Sequence, residues 1–357
     1  MTAALGLAAR GLGAVWPNPA VGCVLVGDSS VVGRGWTQAG GRPHAETEAL
    51  QRAGKAARGA TAFVTLEPCC HHGETPPCTQ ALVDAGVARV VAAVEDPDPR
   101  VSGRGLAALR DAGLTVASGL CAETARSLNA GYFKRIEHGQ PLVTLKLAST
   151  LDGKIATHSG RSQWITGEAA RAAGHLLRVH HDAVLVGVGT AVADDPELTC
   201  RVPGLVHRSP VRIVLDPRLR LPLTHRLVVQ AAAPTWLVAL GDADSARRRA
   251  FEDCGIEVVT GAGEAGQFDL AGVLKGLAER GLTRILVEGG SHTAAALLRA
   301  RLVDRIEWFR SASVMGGDGI PALAPFGVDD LADMPGFVRT GIQPFGKDLL
   351  ETFEFQT

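Results

Sequence analysis

Pro43-His44-Ala45-Glu46, followed by Leu66-Glu67-Pro68-Cys69-Cys70-His71-His72-Gly73-Glu74-Thr75-Pro76-Pro77-Cys78, is the stretch on which the reading of this chain turns. One imidazole and two thiols are good zinc ligands, and three protein ligands leave the fourth tetrahedral position to water, as in a catalytic rather than a closed structural site. Zinc draws the pKa of such a water toward neutrality. Glu46 stands two residues from His44, close enough to face that water without ligating the metal and to pass its proton to a leaving amine. His44, Cys69 and Cys78 are therefore the expected metal ligands and Glu46 the expected catalytic residue. A His-x-Glu with a later Pro-Cys and a second Cys is the pattern of zinc nucleobase deaminases, in which hydroxide attacks a ring carbon bearing an amine. Eight residues separate the cysteines here, where two are usual. The competing reading is a structural zinc site completed by Cys70, His71 or His72. Cys23 and Cys121 are expected to pack as small apolar residues.

Around these motifs the pattern is that of an α/β chain. Residues 21–26 and 31–36, joined by Gly27-Asp28-Ser29-Ser30, predict a hairpin. Residues 45–53 predict a helix ending at Gly54, and 62–66 a strand stopped by Glu67-Pro68. A helix over 78–85 starts after Pro76-Pro77 and is capped by Gly86. A buried strand at 87–94, a helix at 106–112 and a strand at 114–117 follow. Glu137-His138-Gly139-Gln140-Pro141 reads as a junction, giving domains at 1–138 and 141–357, as expected at roughly 150 residues each. Strands are predicted in the second at 142–147, 183–188, 211–215, 235–239, 256–259 and 284–288.

Composition excludes several classes. Thirty-six basic against 37 acidic residues leave no excess of positive charge to hold a nucleic-acid backbone. With 46% hydrophobic and 20% charged residues, general disorder is ruled out. Seven cysteines are too sparse for a disulfide scaffold and predict a reducing, cytoplasmic setting. No run approaches the roughly 20 apolar residues of a membrane span, and no basic region precedes the first apolar residues as in a signal peptide. The 43 glycines and 19 prolines predict many tight turns.

The zinc motifs, together with Pro17-Asn18-Pro19-Ala20-Val21-Gly22-Cys23, resemble the bifunctional deaminase/reductase family of riboflavin biosynthesis. The eight-residue gap, with its His-Gly and Thr-Pro-Pro insert, is that family's own variant. The resemblance implies an N-terminal cytidine-deaminase-like α/β/α sandwich with a mixed sheet, zinc on His44, Cys69 and Cys78, and Glu46 moving the proton. It also implies that Asn18 and the His71-His72 loop line the pyrimidine and ribose-phosphate pocket. Cys70 stands where relatives carry Ser and offers a competing thiolate. The turns Asp96-Pro97-Asp98-Pro99 and Gly103-Arg104-Gly105 match as well.

In the second half, Gly187-Val188-Gly189-Thr190-Ala191-Val192 puts Val192 where the third glycine of a Rossmann fingerprint belongs, so that motif fails. The better phosphate cradle is Val287-Glu288-Gly289-Gly290-Ser291-His292-Thr293-Ala294: a strand, a glycine turn and a helix start. Ser291 or Thr293 is expected to cap that helix. Leu145-Lys146-Leu147-Ala148-Ser149-Thr150-Leu151-Asp152-Gly153-Lys154, Ser162-Gln163-Trp164-Ile165-Thr166 and the stretch from Gly189 to Arg201 resemble the same family's reductase domain, an α/β fold similar to dihydrofolate reductase. That resemblance implies NADPH contacts from Ala148, Trp164, Thr190, Asp194, Gly290, Ser291, His292, Thr293, Ala294, Ala295 and Ala296. Substrate contacts are implied for Ser162, Leu198, Arg201 and Glu288, with Arg201 suited to a phosphate as a bidentate donor. Lys146 and Asp194 are candidate polar groups near the ribosyl carbon that is reduced.

The expected protein is thus a cytoplasmic, two-domain enzyme of riboflavin biosynthesis that uses zinc and NADPH. It would hydrolyse the ring amine of a diamino-phosphoribosylaminopyrimidinone and then reduce the ribosyl group of the resulting aminouracil to ribityl. The partner is a phosphorylated pyrimidine, with no nucleic acid and no membrane, and a homo-oligomer, dimer or tetramer, is expected. The alternatives are a nucleoside or tRNA deaminase carrying a non-catalytic accessory domain, and a zinc-stabilised binding protein without catalysis.

Overall fold

The computed structural model describes residues 1–71 and 76–356, and the chain divides into two units, Met1–Gln140 and Pro141–Thr357. In the first, the predicted hairpin pairs Gly22–Val26 with Val31–Trp36 antiparallel. The sheet runs Val31–Trp36, Gly22–Val26, Thr61–Val64, Arg89–Ala92, Thr115–Ser118; the first two joints are antiparallel and the last two parallel. Successive strand side chains point to opposite faces. Cys23 and Leu25 therefore meet Ala45, Ala49, Leu82 and Leu109 on one face, while Val24 meets Ala4 and Leu7 on the other. Cys23, fully buried, packs as the small apolar residue expected, whereas Cys121 is half-buried.

The helix Ala45–Ala53, which carries Glu46, lies against strand Val31–Trp36 through glycine. A Cβ on Gly35 would stand 2.2 Å from the Ala45 carbonyl oxygen, and one on Gly33 would stand 2.3 Å from that of Ala49. Both glycines pair with the core residues Cys23 and Leu25, so the missing side chains are on the face that the helix covers.

In the second unit seven parallel strands run in the order Glu257–Thr260, Thr235–Ala239, Val211–Leu215, Ala183–Gly187, Arg284–Glu288, Leu142–Ser149, Arg305–Arg310. An antiparallel pair, Asp348–Phe355 and Phe337–Phe345, completes the nine-stranded sheet. The class is α/β in both units, as expected; the mixed sheet expected in the first is found in the second as well. Arg284–Glu288 inserts between Leu142–Ser149 and Ala183–Gly187, which creates a reversal of strand order. Ligands of open α/β sheets settle beyond the carboxyl ends of the strands at such a reversal. Gly187 and Glu288 end two of the strands there.

Several elements lie outside the sequence expectations. Helix Glu168–Val179, which buries Ala170, Ala173 and Val179, is amphipathic but carries no motif that singles it out. Strand Phe337–Phe345 is exposed at most positions because it forms the sheet edge, so no inside-outside alternation marks it. The strand predicted at 87–94 shortens to Arg89–Ala92. Neither Ser291 nor Thr293 caps the following helix: Gly290 is the N-cap, and both residues fall within the first turn. Replacing Gly35 with Ala should force the helix from the strand, with a cost of about 1–3 kcal/mol or more. Urea unfolding should show that loss in the first unit, while the second unit's transition is unchanged.

Candidate active site

His44 is the N-cap of helix Ala45–Ala53, in extended backbone, and Glu46 follows in the first turn with only 3% exposure. Cys78 begins helix Cys78–Asp84, and Cys69 lies in the loop after strand Thr61–Val64. His44 Nδ1 stands 3.3 Å from Cys78 Sγ and 3.7 Å from Cys69 Sγ. All three ligand atoms lie within 4.8 Å of one another. The Cys78 backbone N–H donates to Cys69 Sγ at 3.3 Å. The hydrogen bond from the Cys78 thiol, with that from His44, pulls Cys69 down to about 4 despite its burial. The same bond, with burial and the charge of Glu46, pushes the Cys78 thiol up. Two sulfurs and an imidazole nitrogen thus converge on one point. This donor set and spacing fit zinc, whose charge stabilises both sulfurs as thiolates. Burial, then the Cys69 thiolate, pushes Glu46 up to about 7.

Polar anchors fix this geometry. Glu67 Oε2 accepts from the Asp96 and Gly103 N–H groups at 3.1 and 2.9 Å, and Oε1 from that of Leu106 at 3.0 Å. Helix Arg104–Asp111 is thereby docked against the Glu67-Pro68 segment; a Cβ on Gly105 would stand 2.1 Å from the Pro68 carbonyl oxygen. The turn at Asp96 is closed by its Oδ1, which accepts from the Asp98 N–H and the Tyr132 hydroxyl. Asn18 fills the space over Gly41, whose φ is +86° and whose Cβ would meet Asn18 Nδ2 at 1.9 Å; Gly41 precedes His44 by three residues. Cys70 is outside the ligand group: its Sγ lies 3.8 Å from the Arg100 carbonyl oxygen. The buried Nδ1 of His71 has no hydrogen-bond partner among the described residues. His72, expected beside it in the pocket, lies outside the described residues.

In the second unit, Glu288 meets Arg178 in a bidentate pair, Nε to Oε1 at 2.6 Å and Nη2 to Oε2 at 2.8 Å. Burial alone would raise the Glu288 pKa, but the guanidinium overrides it and holds the carboxylate at about 2. Lys146 pairs with Glu288 across the strands; burial lowers its pKa, opposed by Glu288. Arg178 Nη1 also donates to the Thr199 carbonyl oxygen at 2.6 Å. His175 Nδ1 lies 3.2 Å from that oxygen, and Arg201 Nε donates to His175 Nε2 at 3.2 Å. Helix Glu168–Val179 thus joins Glu288, Lys146 and Arg201, a role that no sequence motif indicated. Lys146 lies against this helix at Gly174, its Cε 3.9 Å from where a Cβ would stand, an ordinary contact distance.

Beside this group the glycine turn forms a cradle. Gly289 and Gly290 have φ of +81° and +80°, and an added Cβ would meet Thr190 at 3.1 and 2.9 Å respectively. Thr293 Oγ1 would lie 2.5 Å from a Cβ on Gly187. Thr190, Gly290 and Thr293 are therefore brought together at the start of helix Ser291–Arg299. Close backbone approach and unpaired helix N–H groups suit a phosphate, so the cradle fits a nucleotide cofactor. Trp164 is 63% exposed, with the Arg171 guanidinium 4.7 Å from its ring centre. Asp194 ends helix Val188–Asp194, and burial raises its pKa. Leu198, Ala294 and Ala295 are buried. Ser162 and His292 are exposed, and Ala148, Ser291 and Ala296 are half-buried.

Cys70→Ser should keep stoichiometric zinc by elemental analysis, and Cys69→Ser should lose it. Stripping zinc with a chelator should abolish deamination and leave reduction intact.

Residues 1–94 match the family described as the cytidine and deoxycytidylate deaminase zinc-binding region, and residues 141–349 match the RibD C-terminal domain. The riboflavin biosynthesis protein RibD of Escherichia coli is 42% identical over 360 residues, covering 98% of this chain and 96% of the relative. That of Aquifex aeolicus is 41% identical over 355 residues, covering 99% and 97%. Among solved structures, Acinetobacter baumannii RibD superposes with a TM-score of 0.89 at 35% identity, covering 100% of this chain and 98% of that one. The Thermotoga maritima diaminohydroxyphosphoribosylaminopyrimidine deaminase/5-amino-6-(5-phosphoribosylamino)uracil reductase gives 0.87 at 34% identity, covering 100% and 97%. With a zinc-binding deaminase half and a reductase half in one chain, this protein belongs to the RibD family of riboflavin biosynthesis.

Proposed function

We propose that His44, Cys69 and Cys78 hold zinc in the first unit and that Glu46 carries the proton there. On this reading the ring amine of the diamino-phosphoribosylaminopyrimidinone is replaced by oxygen. The observation that carries it is the convergence of His44 Nδ1 and two sulfurs beside a fully buried Glu46. Zinc, when bound, supplies a water acidic enough to react near neutral pH. Glu46, beside the three ligand atoms, would take up the proton of the attacking water and return it to the departing amine. Asn18 holds the pyrimidine, and Glu67 keeps the Cys69 loop in place. Burial of the site excludes bulk water and strengthens each of these interactions.

The second unit reduces the ribosyl carbon of the aminouracil, and its residues divide between cofactor and substrate. NADPH supplies the hydride. Thr190, Gly290, Thr293 and the start of helix Ser291–Arg299 hold its phosphates, and Trp164 packs on the cofactor. Glu288 accepts hydrogen bonds from the substrate, because Arg178 keeps it ionised. Lys146 lies next to it with a lowered pKa, placed to exchange a proton with the ribosyl oxygen. Arg201 binds the substrate phosphate. The reducing cytoplasm suits a chain in which all seven cysteines are free. A deaminase with a non-catalytic second domain is not favoured, since residues 141–349 match the RibD C-terminal domain and carry both a cradle and a charged cluster.

Glu46→Gln should lower deamination by about 10²–10⁴-fold, with zinc content and reduction unchanged. Arg201→Ala should raise the reductase KM by about tenfold or more, as expected for loss of a charged hydrogen bond, and leave ammonia release untouched.

A further inference from the structure

We propose that His175 is a positioning residue of the reductase site: it holds Arg201 through the Nε N–H and so aims the guanidinium at the substrate phosphate. The proposal rests on the reading of Arg201 as the phosphate ligand.

The hydrogen bonds fix the form of the imidazole. The Thr199 carbonyl oxygen can only accept, so His175 Nδ1, at 3.2 Å, carries the proton and donates. Nε2 is then a lone pair, as it must be to accept from Arg201 Nε at 3.2 Å. The ring is a rigid bar between a main-chain carbonyl and an arginine. Arg178 braces the same carbonyl with Nη1 at 2.6 Å and stands 3.5 Å from His175 Nδ1. The charged groups facing the ring are Arg178, Arg201 and Glu288. Burial, then Arg178 and Arg201, presses its pKa down to about 4, so the acceptor survives at neutral pH.

This arrangement addresses a weakness of an exposed arginine. Arg201 is exposed, and a long cationic side chain in water loses rotamer freedom when it binds. Among the described residues its hydrogen bond to protein is the one through Nε to His175. That grip leaves the two terminal nitrogens, the edge that matches a phosphate, to the substrate. His175 and Arg178 lie three residues apart on helix Glu168–Val179 and face the same carbonyl. One helix thus sets both the carboxylate at Glu288 and the phosphate ligand.

The test uses the full-length enzyme, with reductase KM and kcat measured on the phosphorylated aminouracil and on its dephosphorylated form. Deaminase rate and melting temperature are followed in the same preparations. His175→Phe should raise KM for the phosphorylated form about tenfold, keep kcat within about twofold and leave KM for the dephosphorylated form unchanged. His175→Gln, whose amide oxygen can accept from Arg201, should recover most of the lost KM. In an Arg201→Ala background His175→Phe should add nothing, because both changes break one unit. Independent, additive effects would overturn the proposal, as would equal damage to both substrates with a lowered melting temperature. If Arg201→Ala raises KM while His175→Phe does not, His175 falls and Arg201 stands. If Arg201→Ala leaves KM unchanged, the phosphate reading fails, and the role of His175 fails with it.

Discussion

Helix Ala45–Ala53 can lie on strand Val31–Trp36 only because Gly33 and Gly35 offer no Cβ, and the zinc group depends on that contact. The helix brings His44 at its cap and Glu46 in its first turn to the two sulfurs. A displacement of one or two ångströms would separate Nδ1 from the thiols and open the buried carboxylate to water. The same device recurs in the second unit. Gly187, Gly289 and Gly290 let Thr293 and Thr190 close on the glycine turn. Much of the glycine in this chain thus serves close approach rather than turns alone.

Two buried glutamates show what the surroundings decide. Glu46 and Glu288 have the same side chain, yet their pKa values move in opposite directions. Beside Glu46 stands a thiolate, which adds repulsion to the cost of burial and raises it to about 7. Beside Glu288 stand the Arg178 guanidinium and the Lys146 ammonium, which outweigh burial and hold it at about 2. A carboxyl balanced near neutrality can take and return a proton, whereas one fixed as an anion can only orient and accept. The division matches a hydrolytic step in one unit and a positioned reduction in the other. It also makes Arg178 costly to remove, since a largely buried carboxylate would lose its bidentate partner.

The three candidate zinc ligands, which the fold brings together, were legible because each belongs to a compact motif whose spacing relates directly to helix starts. His44-Ala45-Glu46 and Pro76-Pro77-Cys78 are read locally, and the helices at 45–53 and 78–84 appear where expected. Strands Val211–Leu215, Thr235–Ala239 and Arg284–Glu288 were legible for a similar reason, as buried Val/Ile/Leu runs bounded by turns. Arg178 and His175 were not. They lie in a helix of alanine, arginine and leucine, and their partners stand 110 and 26 positions away. Leu198 also belongs to the core cluster of Val188 and Ala191, which its place in a substrate motif did not indicate.

By itself the sequence determined the donor atoms, the α/β alternation and the glycine turn, since these depend on residue type and short spacing. Tertiary structure decided which groups act together. Only the fold excludes Cys70 from the ligand group, pairs Glu288 with Arg178 and places His175 between Thr199 and Arg201. The reason is physical: pKa and orientation depend on neighbours within a few ångströms, and those neighbours come from segments that the chain separates and the sheets reunite.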